Sequence, residues 1–558
     1  MDRRSDLGVM DSRPLPSFRD LWSVPPDDRL YQFTRQCLLW SLLAHLVAAV
    51  FTEGFHHYDE QFQILEFVQY KLGRSPEADL PWEFRSQIRP WFMPALFTAF
   101  AKAWLFLGVD NPFTWALSFR LLSALLGWLS VAALVRLLFG WFRSEVLLKG
   151  AIVATSLLWF LPYIHARPSS ESWSGSLFFL GFSFLMSAVQ TGGPLPVGHA
   201  LLSGSLMGLA FECRYQSAIF VVFGLLWSLR YGRFRLSAQG AIAVGLVAAV
   251  GLGTLADRWG YGNWSLAPGD YVRVNLLEGK AAQWGISPWW SYVPLVLLQG
   301  GPPISLLLIA GVSAAWVLKR RFSLTWCTVP FFAIHCGLGH KELRFLFPMA
   351  PAAPVLMVMA LEALRQRGWP ARGTSLGQKR WVRWGGLVLC AWNGVLCLIS
   401  GLVPARLEVA FYRQIYARLP TVLYTLERDP YEIVGLRSHF YRPLQLTVVR
   451  TGSFERTLGA LSQSGTSVWY FHPGLTLPDE GHALQSMCTI EYQALPRWLQ
   501  APVFSRWLRR IPARDWSLLR CQPGRSGARK GPGGTPEARD WRARPNQSTA
   551  RASPRIPA

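Results

Sequence analysis

Charged residues are scarce in this chain. Only 16% of its 558 residues are Asp, Glu, Lys or Arg, whereas 51% are hydrophobic. Soluble globular domains carry roughly 25% charged residues, so this composition argues against a series of soluble domains. Apolar runs of membrane-spanning length recur between residues 36 and 403, and they predict a polytopic α-helical membrane protein.

Cysteine is also sparse, and the eight cysteines show no metal-ligand spacing. Six lie in or beside apolar runs, where a structural thiol is the ordinary interpretation. Only Cys488 and Cys521 lie in the hydrophilic C-terminal part, so at most one disulfide is expected there. The chain also lacks a Gly-rich phosphate loop and a Rossmann pattern, which argues against a nucleotide substrate. We therefore expect neither a metal nor a cofactor.

Acidic residues are outnumbered, with 33 Asp and Glu against 56 Lys and Arg. Such an excess can serve nucleic-acid binding. The basic residues here, however, lie in short loops between apolar runs and in the tail, which follows the positive-inside rule. The expected partner is therefore a lipid bilayer and not a nucleic acid.

The basic loops also predict a topology. They share the cytosolic side if the apolar stretch 91–108, which contains Pro94 and Lys102, lies in the interface or re-enters without crossing. This assignment gives about eleven spans, with the N-terminus inside and the C-terminal part outside. GGPP at 300–303 is expected to kink one of these spans. The predicted spans are residues 36–54, 117–141, 146–162, 173–189, 199–212, 216–229, 237–254, 289–318, 323–339, 345–362 and 384–403.

Four regions follow from the same composition changes. Beyond residue 404 the apolar runs give way to alternating stretches such as LQLTVVR, which are typical of strands. The last residues are rich in Gly, Pro and Arg, with little to bury. We predict a cytosolic segment 1–35, a transmembrane domain 36–403 with a first exoplasmic loop at about 55–116, a small exoplasmic α/β domain 404–520 and a disordered basic tail 521–558.

HHYDEQFQ opens that first loop with two adjacent carboxylates, Asp59 and Glu60. Carboxylates at a helix start can simply pair with the helix dipole. A general base that takes a proton from a hydroxyl can also be a carboxylate, so these two residues fit either role. The helical spacing that follows leaves Gln63, Glu66 and Tyr70 on one face, for which a solvated amphipathic connector is the simpler interpretation.

Basic side chains recur in the loops on the same predicted face. A single arginine near lipid headgroups usually extends to the interface, but Arg85 and Arg89 in one loop can clamp a phosphate. Arg167, Glu171 and Arg214 lie at span boundaries, where they can pair to hold helix ends together or act in function.

Two further motifs fall on this face. DRWGYGNW at 257–264 suggests a tight turn in which Asp257 and Arg258 face each other. GHKELRFLFP is the densest cluster, and its short loop between spans favours a phosphate site with a histidine beside the leaving oxygen. Its charged and polar residues are His340, Lys341, Glu342 and Arg344.

Three of these motifs resemble those of glycosyltransferase family 22, the polytopic GT-C mannosyltransferases that use dolichyl-phosphate-mannose. HHYDEQFQ is similar to the family's His-Pro-Asp-Glu-aromatic-Gln motif, although His57-Tyr58 replaces the usual proline. DRWGYGNW resembles its Asp-x-x-x-Tyr-Gly-x-Trp turn, and HKELRF its His-Lys-Glu-x-Arg-Phe signature. The similarity runs from about residue 37 to about residue 360.

The resemblance implies a GT-C fold with its active site on the lumenal or exoplasmic face. It implies an inverting transfer of mannose from a polyprenyl-phosphate-mannose to a mannosylated glycolipid of the GPI-precursor type, with Asp59 as base and Glu60 beside it. It also implies no metal. The expected donor-phosphate and substrate-binding residues are His57, Arg85, Arg89, Arg167, Arg214, Asp257, Arg258, Tyr261, His340, Lys341, Glu342 and Arg344.

Other functions stay open at this point. A related transferase can act on an N-glycan precursor or a bacterial glycolipid. A lipid or solute transporter also places charges in a multi-span protein, although no internal repeat is evident. A noncatalytic assembly subunit leaves the clustered charges unexplained. The expected compartment is the endoplasmic reticulum membrane in a eukaryote and the inner membrane in a bacterium.

Overall fold

The structure is a computed structural model, and it describes most of the chain between residues 28 and 522. The predicted N-terminal segment before residue 28, loop residues 369–379 and the basic tail from residue 523 lie outside the described residues. The described ranges are 28–232, 234–368, 380–426, 428–452, 467–473, 488–494 and 516–522.

Helices dominate the described residues as far as Leu402. Every apolar run predicted to be a span contains a helix. The α-helices, numbered α1 to α18 in chain order, are Arg29–Phe51, Glu66–Lys71, Trp82–Arg85, Phe92–Phe106, Pro112–Trp141, Glu145–Leu157, Phe160–His165, Ser170–Thr191, Val197–Cys213, Ala218–Trp227, Leu236–Tyr261, Ala267–Val272, Tyr292–Gln299, Ile304–Leu318, Ser323–Gly337, Ala352–Gln366, Arg380–Leu402 and Leu407–Arg418.

Several of these helices suit a bilayer. Among the described residues, five are long and apolar enough to cross a membrane, or six if one bent pair forms a single span. The protein is therefore a multi-span helical membrane protein, and the number of about eleven crossings stays a prediction.

Proline accounts for two interruptions. At GGPP, α13 ends at Gln299 and α14 begins at Ile304, so the run is broken where the sequence predicts. The predicted span 345–362 is not one continuous helix. A 3₁₀ turn, Leu343–Met349, precedes α16, and the two are bent by 65°. Pro348 lies inside the turn, where its missing N–H and its ring prevent a continuous α-helix.

The region predicted as an α/β domain contains strands. In the described residues they are Val422–Thr425, Glu432–Ile433, Leu436–Arg437, Thr447–Arg450, Val468–His472, Cys488–Gln493 and Ser517–Cys521, numbered β1 to β7. Five of them form a mixed sheet in the order β4-β1-β5-β7-β6. β1 pairs in parallel with β4 and β5, whereas β7 pairs antiparallel with β5 and β6. A disulfide between Cys488 and Cys521 joins β6 to β7.

Glu66 joins the first loop to this C-terminal region. Its side chain is fully buried, and Oε1 accepts the backbone N–H groups of His439 and Phe440 at 2.9 and 3.0 Å. The Ser438 hydroxyl and the Gln61 amide donate to the same oxygen at 3.0 and 2.8 Å. The interpretation of Glu66 as part of a solvated connector is therefore wrong, because a turn 372 residues later covers it.

Replacing Glu66 by Ala should destabilise this junction. The change leaves buried N–H donors without an acceptor, and we expect a loss of roughly 2–4 kcal/mol. The measurement is denaturant or thermal unfolding of the purified protein in detergent. Glu77→Ala in the same loop is the matched control, because Glu77 is exposed. Equal unfolding midpoints for the two variants would contradict the assignment.

Candidate active site

The sequence motifs meet at one end of the helices. Arg344 Nη1 lies 2.6 Å from Asp59 Oδ2 and 2.9 Å from Glu171 Oε1. Arg214 Nη1 lies 2.8 Å from the same Glu171 oxygen. Four loops that are far apart in the sequence, those at 55–60, 165–173, 211–216 and 339–345, therefore supply one cluster.

Local chain geometry places each member of the cluster. Asp59 directly precedes a π-helical turn, Glu60–Leu65, and so lies at the start of the first-loop helix. The hydroxyl of Ser169 caps α8 by accepting the Ser172 N–H. Glu171 consequently lies in the first turn of α8, where the helix dipole favours a carboxylate.

Arg344 is the centre of the cluster. It is buried, and besides its contacts to Asp59 and Glu171 its Nε donates to Glu342 Oε2. One guanidinium thus pairs with three carboxylates. A buried charge of this kind is tolerated only when its partners satisfy it, and removing one partner is costly.

Two histidines extend this network. His340 Nε2 lies 2.8 Å from Glu342 Oε1. His57 bridges two of the carboxylates, with Nε2 3.3 Å from Glu342 Oε2 and Nδ1 3.4 Å from Asp59 Oδ1. Burial favours the neutral form of Glu342, but the hydrogen bond from His340 and the Arg344 charge hold its pKa well below the ordinary value.

The two adjacent first-loop carboxylates differ in their electrostatics. Burial favours the neutral form of Asp59, yet Arg344, His57 and Arg89 outweigh it and hold the pKa well below its ordinary value. Burial raises the pKa of Glu60 to about 7. Asp59 is therefore ionised at neutral pH, whereas Glu60 is partly protonated. Environments that separate the pKa values of neighbouring carboxylates are a feature of acid–base sites.

A cleft adjoins the cluster. Its walls combine carboxylates and neutral polar groups, which suit sugar hydroxyls, with arginines, which suit a phosphate. Apolar side chains complete its walls. The polar lining residues are Asp59, Glu60, Gln63, Arg89, Ser169, Ser170, Glu171, Arg214, Tyr215, Gln216 and Tyr271.

The two arginines of the first loop occupy different places. Arg89 lines the cleft, with Nη2 3.8 Å from Asp59 Oδ2 and 3.5 Å from Glu83 Oε1. Arg85 is exposed and donates to the Ala78 carbonyl at 3.4 Å. The structure therefore brings Arg89, and not Arg85, into the cluster.

Two other predicted phosphate ligands are engaged with backbone. Arg167 is fully buried and donates to the carbonyls of Gly54, at 3.1 Å, and Thr52. Lys341 is buried and donates to the Ser287 carbonyl at 2.9 Å. Arg167 thus anchors the start of the first loop, and Lys341 ties the 339–345 loop to the preceding segment.

The DRWGYGNW motif holds the first loop through hydrogen bonds to its backbone. Asp257 is buried and accepts the Trp91 N–H at 2.7 Å, while the Tyr261 hydroxyl donates to the Arg89 carbonyl at 2.7 Å. The expectation that Asp257 and Arg258 face each other is wrong, because Arg258 is exposed and bonds to a carbonyl of its own turn. Consecutive helix residues point in different directions, so one enters the core and the other does not.

Sequence reasoning assigned no substrate role to several residues of this cleft, among them Glu171 and Tyr271. The ion pair between Glu171 and Arg214 was one of two interpretations of those residues, and it is present, but Glu171 also binds Arg344. The available sequence signal for Glu171 was its charge at the start of an apolar run, where charged residues are often functional. Tyr271 lines the cleft beside Gln216 from a segment in which no motif stands out.

Comparison with known proteins identifies relatives of this chain. A model of the Alg9-like mannosyltransferase family matches residues 36–443. The chain is 25% identical over 346 residues to mannosyltransferase APTG1 of Arabidopsis thaliana, covering 60% of each chain. It is 24% identical over 441 residues to GPI alpha-1,2-mannosyltransferase 3 of Danio rerio, covering 75% of this chain and 76% of the relative. The human protein of that name is 25% identical over 328 residues, covering 56% and 55%.

The matches leave part of each relative uncovered, since the chain spans between 55% and 76% of the length of these three proteins. Among solved structures, ArnT from Cupriavidus metallidurans bound to undecaprenyl phosphate is 13% identical, with a TM-score of 0.48 and coverage of 88% of this chain and 98% of the other. That score is too low to assign the fold, so the GT-C architecture stays a prediction.

Gly260 provides a test of the support beneath Arg89. A Cβ at this position would lie 2.1 Å from the Trp91 ring, so Gly260→Ala must displace the ring and with it the Arg89 backbone. We expect a loss of roughly 1–3 kcal/mol, measured as a lower unfolding midpoint. Gly251→Ala in the same helix is the control, because nothing lies within 4 Å of its Cβ. A Gly260→Ala midpoint no lower than that of the control would contradict this packing.

Proposed function

This chain belongs to the Alg9-like mannosyltransferase family, and we propose that it transfers mannose from a polyprenyl-phosphate-mannose to a mannosylated glycolipid. The observation that carries the proposal is a carboxylate, Asp59, within a cluster of guanidinium groups at the edge of a polar cleft. Relatives named GPI alpha-1,2-mannosyltransferase 3 favour an acceptor of the GPI-precursor type. Acceptors of the N-glycan or bacterial type are the alternative.

The proposed reaction is a single displacement. Asp59 takes the proton of an acceptor hydroxyl as that oxygen forms a bond to the anomeric carbon. The bond between this carbon and the donor phosphate breaks, and its electron pair leaves on the phosphate. One base and one displacement invert the anomeric configuration, as in inverting glycoside chemistry, so a β-linked donor yields an α-mannoside.

The cluster also contains the groups that a lipid phosphate needs. Arg344, Arg89 and Arg214 each present guanidinium N–H donors at or beside the cleft. Guanidinium binds phosphate oxygens with charge-assisted hydrogen bonds, which strengthen as negative charge develops on the leaving group. His340 lies behind Glu342 and supports the cluster rather than the cleft wall.

The disulfide supports a lumenal or exoplasmic site. Disulfides persist in oxidising compartments, which lie on the non-cytosolic side of the membrane. The region that contains Cys488 and Cys521 contacts the first loop through Glu66 and through the Ala405 N–H, which donates to the Glu53 carbonyl at 2.8 Å. The same side is therefore proposed for Asp59, facing the endoplasmic reticulum lumen in a eukaryote or the periplasm in a bacterium.

The base is tested by Asp59→Asn. Transfer from dolichyl-phosphate-mannose to a synthetic lipid-linked α-mannoside should fall by about 10²–10⁴-fold, because the amide cannot take the hydroxyl proton. The measurement is the initial rate in membranes with equal amounts of each variant. Asp110→Asn is the control, because Asp110 is an exposed carboxylate that pairs with Arg74. Transfer by Asp59→Asn at the level of the control would remove Asp59 from the mechanism.

The phosphate clamp is tested by a matched pair of arginine variants. Arg89→Gln should raise the KM for the lipid donor by about tenfold, which corresponds to about 1.4 kcal/mol, with a smaller effect on the KM for the acceptor. Arg85→Gln should leave both values near wild type, because Arg85 lies outside the cluster. The proposal fails if the two variants behave alike or if only the acceptor KM changes.

A further inference from the structure

In this structure the proposed base, Asp59, is paired with cationic side chains. Asp59 Oδ2 lies 2.6 Å from Arg344 Nη1, and Arg89 approaches the same oxygen at 3.8 Å. Its other oxygen faces His57 at 3.4 Å. A carboxylate that is neutralised by a guanidinium at this distance has little tendency to take a proton from a sugar hydroxyl. Something must separate the pair before the reaction can occur.

We propose that Arg344 is an exchangeable counter-ion, which the phosphate of the lipid donor draws away from Asp59, so that the base becomes available only once the donor is bound. The inference rests on the proposed function and names how its site is regulated. The anion that draws Arg344 is a polyprenyl phosphate, because the same group leaves in the proposed reaction.

Exposure distinguishes Asp59 from Glu171, the other carboxylate of the cleft that pairs with Arg344. The Asp59 side chain is 23% exposed and that of Glu171 is 4%, so Asp59 is the one that solvent can reach when Arg344 leaves it. Arg344 can therefore leave Asp59 while Glu342 and Glu171 keep it in the cluster.

The charges of the cluster allow a phosphate to compete with carboxylates for Arg344. The ion-pair network contains four carboxylates, those of Asp59, Glu83, Glu171 and Glu342, and three guanidinium groups, those of Arg89, Arg214 and Arg344. A bound phosphate adds negative charge, so it competes with a carboxylate for a guanidinium.

The same exchange fits the electron flow of the reaction. Once Arg344 has left, the chief cause of the low pKa of Asp59 is removed, and the carboxylate becomes a better acceptor for the hydroxyl proton. The electron pair of the broken bond then arrives on the phosphate, where Arg344 already lies. The structure thus predicts that binding of the donor makes the base available.

Binding of dolichyl phosphate to the full-length protein in nanodiscs tests the exchange. Asp59→Asn removes the competitor for Arg344 and should tighten binding by about tenfold relative to wild type. Asp110→Asn removes an equal charge elsewhere and should change binding much less. Against an Arg344→Gln background, Asp59→Asn should have no more effect than Asp110→Asn. Unchanged or weaker binding by Asp59→Asn, or an effect that persists without Arg344, would overturn the inference.

A second measurement keeps the inference falsifiable if Asp59→Asn does not fold. The binding measurement is then made with Asp59→Ala, which also removes the competitor for Arg344 and should tighten binding of dolichyl phosphate by about tenfold relative to wild type. Unchanged or weaker binding by Asp59→Ala would overturn the exchange. The binding experiment needs no transfer of mannose, so a wild-type protein that binds dolichyl phosphate but transfers nothing refutes the proposed function separately.

Discussion

One buried guanidinium holds the site together. Arg344 pairs with carboxylates from three separate parts of the chain, Asp59 in the first loop, Glu171 at the start of a helix and Glu342 in its own loop. Because a buried charge without partners is costly, the close packing of these loops depends on carboxylates that pair with Arg344. The arrangement of the whole end of the molecule depends on this interaction.

The first loop is held from two further directions. Glu66 accepts hydrogen bonds from the turn that includes His439 and Phe440, which fixes the loop against the C-terminal region. Asp257 and Tyr261 bind the backbone around Arg89 from the opposite side. Asp59 therefore lies on a supported segment, and its distance to Arg344 is set by the surrounding fold. Such support is what positions reacting groups accurately.

Local chemistry in the sequence was enough to identify the helices, the GGPP interruption and the charged residues that meet at the cleft. Apolar length and the position of charges at span ends contain that information. What the sequence could not show depends on contacts between distant residues. Glu66 and Ser438 are 372 positions apart, and no periodicity reveals that one covers the other. Likewise, Arg85 and Arg89 are two arginines of the same loop that the sequence does not distinguish. Only the contacts of the Arg89 backbone with Tyr261 separate them.

The same guanidinium is proposed to neutralise the base and then to bind the leaving group, so one ion pair links donor binding to the availability of the base. An experimental structure of the protein with dolichyl phosphate bound tests this claim most directly. We expect a phosphate oxygen within hydrogen-bond distance of Arg344, with the guanidinium more than about 4 Å from Asp59. A phosphate bound elsewhere, or bound with the pair between Arg344 and Asp59 intact, would contradict it.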